Sequence, residues 1–223
     1  LEVGKNIQEV LGDIEKYSPY AKNVKLVVVT KYVDSLIIKE VLKTGVNILG
    51  ENRVQVLQEK NEELSKNNLS VKWHFIGNLQ KNKVKYIASY IDMIHSVNKL
   101  TLAKEIDKRA KENNRIIETL LEINIYGEES KEGYKLEELL KNLPELLKLE
   151  NIKIVGLMTM APFTDDENIQ RMVFKKLGVI KDELNETYFE NSLTELSMGM
   201  SNDYKIALEE GATLIRVGSK IFK

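Results

Sequence analysis

Two periodicities alternate along this chain. Ile7, Val10, Leu11, Ile14 and Tyr17 recur at helical spacing, so an amphipathic helix is expected at the start. Beyond Pro19 the texture becomes KLVVVTK, a β-branched run typical of a strand buried on both faces. The two textures then alternate to the end. Strands are expected near 25–31, 46–49, 71–76, 91–96, 117–124, 152–157, 193–197 and 213–217. Helical patterns fill the gaps, among them 35–44, 52–66, 98–114, 166–186 and 202–210, and the short stretch QKNKVKYIAS at 80–89 has the weakest one. Asp165 and Asp166 precede the periodic set Ile169, Met172, Val173, Leu177, Ile180 and Leu184, as an acidic helix start should. Ser201 stands where it would cap a helix of Tyr204 to Glu210, which Gly211 stops.

Strands alternating with helices specify a parallel sheet with helical crossovers. Eight such units close into a (β/α)8 barrel, here with one extra helix in front. The alternative is an open doubly wound sheet, usually built with fewer strands. No Pro-, Gly- or Ser-rich linker divides the 223 residues, so 1–223 is read as one domain.

Composition removes several functions. The 33 basic and 34 acidic residues are interspersed and leave a net charge of −1, which offers no broad field to nucleic acid or an acidic membrane. The absence of cysteine excludes disulfides, thiolate metal sites and a cysteine nucleophile, and fits a reducing compartment. The first residues carry charges throughout, unlike a signal peptide, and no apolar run is long enough to span a membrane. A soluble, cytoplasmic protein is expected. His74 and His95 have neither HxH nor HExxH spacing, so no metal site is expected. His74 faces away from Trp73 and Phe75 and either lines a site or packs.

In such a barrel, chemistry is built at the carboxyl ends of the strands. Those ends read Lys31, GEN at 50–52, HFIGN at 74–78, HS at 95–96, Asn124, MTMAP at 158–162, SMGMS at 197–201 and RVGS at 216–219. Many are polar or small where the strands behind them are apolar. The fold often holds phosphate in the loops after strands 7 and 8, where Ser201, Gly218 and Ser219 fall. Each alone reads as a cap or a turn; together they favour an anion. Arg216 is one of only five arginines, and it lies inside the apolar strand TLIRVG. A buried guanidinium needs a partner, which is either a strand carboxylate such as Glu122 or Glu195, or a ligand. Lys31 shares the parity of Val27 and Val29, which places it at the barrel mouth. By itself it reads either as a lysine stretching to solvent or as an amine tuned by burial and Arg216 to condense with an aldehyde. One ligand combines aldehyde and phosphate: pyridoxal 5'-phosphate (PLP). GEN reads as a strand-to-helix cap, with Asn52 as the cap.

With Lys31, GEN, WHFIGNLQKNK, GLMTMAP, SMGMSND and GATLIRVGSKIF in view, the chain resembles the pyridoxal phosphate homeostasis protein family over essentially its whole length. The resemblance implies a barrel like the N-terminal domain of bacterial alanine racemase (PLP fold type III) with an added helix in front. It implies that Lys31 holds PLP as a Schiff base, the internal aldimine, and that Ser201, Gly218 and Ser219 bind its phosphate. Asn52 would line the cofactor, and Arg216 would face the pyridine nitrogen or else reach the phosphate. A guanidinium at that nitrogen stays protonated and disfavours ring protonation, which weakens the electron sink.

The implied function is vitamin B6 homeostasis: storage or delivery of PLP by a monomer, with apo-PLP enzymes as transient partners and no catalytic residue. Two departures stand out. KYVD follows the lysine where the family often has a proline, and Lys223 stands where a glycine is usual. One alternative is a PLP-dependent racemase or decarboxylase. That chemistry needs a positioned acid or base, and Tyr32, His74 and His95 are each better explained by packing. The racemase also needs a further C-terminal domain, for which a chain ending at Lys223 leaves no room. The other alternative is a cofactor-free sugar-phosphate isomerase in which Lys31 acts by charge alone.

Overall fold

The computed structural model describes residues 2–129 and 132–223. The chain opens with α1 (Val3–Tyr17) and then runs β1 (Lys25–Val29), α2 (Ser35–Leu42), β2 (Ile48–Glu51), α3 (Val54–Lys66), β3 (Lys72–Phe75) and β4 (Met93–Val97). It continues through α4 (Leu100–Glu112), β5 (Ile117–Glu122), α5 (Leu136–Leu146), β6 (Ile152–Met158), α6 (Glu167–Leu184), β7 (Glu195–Ser197), α7 (Tyr204–Glu209), β8 (Leu214–Val217) and α8 (Ser219–Phe222). The strands form a closed barrel in sequence order, and β1 pairs in parallel with β8 to complete it. This is the expected (β/α)8 barrel with its extra helix. The weakly patterned 80–89 stretch contains a 3-10 helix, Lys81–Tyr86, in place of an α-helix.

Alternation along the strands sorts side chains into two cores. Leu26, Val28, Trp73 and Phe75 belong to the large layer between strands and helices. Val27, Met93, Leu120, Val155, Met158 and Leu214 fill the barrel interior. Both layers come from near-continuous apolar strands, because a parallel barrel buries both faces of its sheet.

The front helix buries Val3, Ile7, Val10 and Ile14 and packs against α2, α7 and α8. Two polar contacts pin it there. Tyr204 Oη donates to Asp13 Oδ2 at 2.5 Å, and Asn6 Nδ2 donates to the carbonyl of Ile221 at 2.8 Å. The extra helix therefore buttresses the two short helices that follow the closing strands. At α6 the acidic start is as expected, with the Asp166 side chain accepting from Asn168 N at 2.9 Å.

Candidate functional site

The two closing turns are joined. After β7, Gly199 adopts φ +98°, and a Cβ there would lie 2.6 Å from Ala207 Cβ, so glycine lets the turn ride directly over α7. Asp203 then takes the N-cap position of α7, and its Oδ1 accepts from Met200 N at 2.7 Å. This corrects the expectation that Ser201 caps that helix. The hydroxyl of Ser201 is directed elsewhere, accepting from Gly218 N at 3.4 Å and Lys220 N at 3.1 Å. Gly218 leads into α8, and a Cβ on it would stand 3.1 Å from both Val29 Cβ and Val29 O. The result is a small polar nest of one hydroxyl and the backbone N–H groups of Gly218 and Lys220, a donor set suited to an anion.

Lys31 lies beside this nest. Val28 is in register with Val217 across β1 and β8, so Val29 abuts Gly218. Lys31 is two residues beyond Val29. Of the two readings of its side chain, the structure shows the lysine that stretches to solvent. β1 stops at Val29, the Thr30 carbonyl accepts from Val33 N at 3.1 Å to start a turn, and Lys31 is exposed. Its Nζ sits 5.0 Å from the ring centroid of Tyr32, itself 87% exposed. Strand parity stops governing a side chain where the strand stops.

Arg216 is buried beneath the turns. It donates to Ser197 Oγ, and to the Thr159 carbonyl at 3.1 Å. Neither expected carboxylate pairs with it. Glu195 accepts from Thr213 Oγ1 at 2.5 Å and lies 3.9 Å from Lys25 Nζ. Glu122 reaches Arg216 only through its charge. Burial lowers the guanidinium pKa to about 10, which leaves it cationic at neutral pH. Burial raises the Glu122 carboxyl to about 7 despite the opposing pull of Arg216.

A chain of buried polar groups extends from Ser197. His95 Nδ1 is 2.8 Å from Ser197 Oγ, and His95 Nε2 is 2.9 Å from His74 Nδ1. Burial, then Lys25 and Lys72, lower His74 to about 3. Burial, then His74 and Arg216, hold His95 well below its ordinary value. Both imidazoles are neutral, so the pair is a hydrogen-bond chain that orients Ser197 and, through it, Arg216. Sequence reading missed this chain because its members come from β3, β4, β7 and β8. The available signal was polar residues at inward parity in apolar strands.

Asn52 is half-buried, one residue before Arg53, which occupies the N-cap of α3 in its place. A Cβ on Gly77 would lie 2.5 Å from Asn52 O and 2.6 Å from its Cβ, so GEN and HFIGN meet back to back. Of the predicted residues, the structure thus joins Ser201 to Gly218, with Ser219 next in the chain, sets Arg216 below them, and carries Lys31 in the turn that follows the adjoining strand. Asn52 follows β2, on the other side of β1.

Residues 6–223 match the family model described as alanine racemase, N-terminal domain. The pyridoxal phosphate homeostasis protein of Aquifex aeolicus is 43% identical over 198 residues, covering 89% of this chain and 86% of that protein. The protein of the same description from Synechocystis is 39% identical over 200 residues, covering 90% and 91%. Among solved structures, PipY of Synechococcus elongatus with PLP bound has a TM-score of 0.90 at 32% identity, covering 100% of both chains. An alanine racemase of Clostridium difficile, with a TM-score of 0.74 and 19% identity over 98% of this chain and 56% of that one, shares the fold alone. Among the described residues no helix is long and apolar enough to cross a membrane, and no group of three His, Cys, Asp or Glu could hold a metal ion. The chain therefore belongs to the alanine racemase N-terminal-domain family and, within it, to the pyridoxal phosphate homeostasis proteins.

Proposed function

We propose that this protein binds PLP and stores or delivers it, with Lys31, Asn52, Ser201, Arg216, Gly218 and Ser219 as its contacts. The observation that carries the reading is the knot of Ser201 Oγ with Gly218 N and Lys220 N beside the strand that leads to Lys31. PLP, which PipY binds, supplies a phosphate dianion and an aldehyde with which a lysine amine condenses, C=N forming as water leaves. Ser201 and the N–H groups of Gly218 and Ser219 hold the phosphate. Lys31 presents its amine from the neighbouring turn, and Asn52 lines the wall beyond it. Arg216, held by Ser197 and Thr159, donates toward the pyridine nitrogen.

A carrier is favoured over a turnover enzyme, since the two histidines are neutral and engaged with each other, while Tyr32 projects into solvent. The carrier acts as a cytoplasmic monomer and meets apo-PLP enzymes transiently. One observation favours a second reading, a PLP-dependent racemase or decarboxylase: Glu122 is a buried carboxyl at the end of β5 whose pKa of about 7 suits proton transfer.

The test is direct. Protein mixed with PLP should turn yellow, and borohydride should fix one pyridoxyl group on Lys31. Lys31→Ala should abolish that label while leaving stability within about 0.5 kcal/mol, as expected at an exposed position. A colourless protein that takes up no PLP would refute the proposal. Racemisation or CO2 release from amino acids, lost in Glu122→Gln, would establish the second reading.

A further inference from the structure

The turn that carries Lys31 is gripped from behind by α3. Thr30 and Glu51 are fully buried, and Lys60 is 8% exposed. Lys60 Nζ donates to the Thr30 carbonyl at 2.5 Å and to Glu51 Oε1 at 2.6 Å, and Thr30 Oγ1 donates to the same Oε1 at 2.7 Å. Three residues further along the same helix face, Glu63 Oε2 accepts from Ser35 Oγ at 2.5 Å. The Asp34 side chain caps α2 by accepting from Ile37 N at 3.0 Å. Residues 30 and 35 are thus both fastened to α3, and Lys31 and Tyr32 lie exposed between them.

Stability does not explain this arrangement. A buried ion pair is often matched or exceeded by apolar residues of similar volume, and Glu51 Oε2 finds no hydrogen-bond partner, which adds cost. What the cluster does accomplish is geometric. The Thr30 carbonyl receives both Lys60 Nζ and Val33 N. That fixes the plane of the peptide joining Thr30 to Lys31, and with it the direction in which the Lys31 side chain leaves the backbone.

We infer that Lys60 and Glu51, assisted by the Glu63–Ser35 contact, are positioning residues that hold Lys31 in line for condensation with a carbonyl compound. The inference rests on the PLP reading of Lys31 given above. None of the four touches the phosphate nest, so their removal should separate two properties that general loosening would move together.

The experiment compares wild type with E51Q/K60M. The double variant leaves no stranded charge, and Gln keeps an acceptor for the Thr30 hydroxyl. Pyridoxine 5'-phosphate, which has the phosphate but no aldehyde, should bind both proteins within about twofold. The rate at which added PLP becomes borohydride-stable on Lys31, followed by mass spectrometry, should fall about tenfold with the loss of a charged hydrogen bond. An unchanged labelling rate overturns the inference, and so does an equal loss in both measurements. If E51Q/K60M does not fold, S35A removes only the outer contact. It should slow labelling about threefold with phosphate-ester binding intact, and an unchanged rate overturns the inference there too. Wild-type protein that binds pyridoxine 5'-phosphate but never labels at Lys31 would instead overturn the reading of Lys31, and the clamp with it.

Discussion

Acidification from pH 7.5 to 5.0 should cost the wild-type fold about 2 kcal/mol more than it costs His74→Asn. His74 is 5% exposed and its pKa is lowered from 6.5 to about 3, chiefly by burial. Between those values the unfolded chain binds a proton that the folded one does not, so stability falls as pH drops below 6.5. The slope is about 1.4 kcal/mol per pH unit, and 1.5 units give the quoted loss. Asparagine is the appropriate replacement because its amide occupies the place of Nδ1 and keeps a partner for His95. Glu122 shifts in the opposite direction, remains in the variant and drops out of the difference; His95 shifts in the same direction as His74, first by burial, which the variant keeps, and only then by His74. The assay is urea unfolding at pH 7.5, 6.5, 5.5 and 5.0, read from Trp73, the single tryptophan, which is 2% exposed next to the mutated site. Parallel pH profiles would refute the reasoning, since they would mean that His74 is not held neutral by the fold. Against a total stability of roughly 5–15 kcal/mol the effect is large.

Glu122 works with the opposite sign. Its folded pKa is raised from 4.5 to about 7, so the stability it contributes is present below pH 4.5 and is lost as pH rises to 7. Glu122→Gln should accordingly exceed wild type by about 3 kcal/mol at pH 8 and differ little at pH 4.5, in the same urea assay. Gly218→Ala puts a methyl 3.1 Å from Val29 Cβ and O. It should lower stability by about 1–3 kcal/mol and weaken pyridoxine 5'-phosphate binding, measurable by calorimetry. Arg216→Lys lacks the fork that reaches Ser197 and Thr159 together. It should loosen PLP about tenfold and shift the absorption of the bound cofactor, and an unchanged spectrum and affinity would remove Arg216 from the site.

The barrel was legible because its signal is local. KLVVVTK and TLIRVG are apolar on both parities, as strands covered on both faces must be, and helical periods separate the strands in between. The element ends were less legible. Asp203, not Ser201, stands at the N-cap of α7 without a side-chain cap bond, its carboxylate accepting from Met200 N, while the Ser201 hydroxyl is taken by Gly218 and Lys220. Parity carried Lys31 to the rim of the barrel and left burial and exposure both open; the choice fell to exposure because the chain leaves the strand at Val29. The partner of Arg216 was unreadable for a different reason. Glu122, Glu195 and Ser197 all lie on strands, and it is the register of β7 on β8, with Ser197 opposite Leu214, that brings the Ser197 hydroxyl within reach of the guanidinium.

The amino-acid order by itself determined the eight-unit alternation, the rim on which Lys31, Ser201 and Gly218 would gather, and the kind of ligand that an amine and an anion nest suit together. Those features depend on near neighbours and on a two- or four-residue repeat. The folded molecule alone decided which polar groups pair: Ser201 with Gly218, His95 with Ser197, Lys60 with Thr30. Each of these contacts joins residues from separate strands or helices. Their geometry is set by the closure of the barrel and by how α3 lies on it, which no local pattern records.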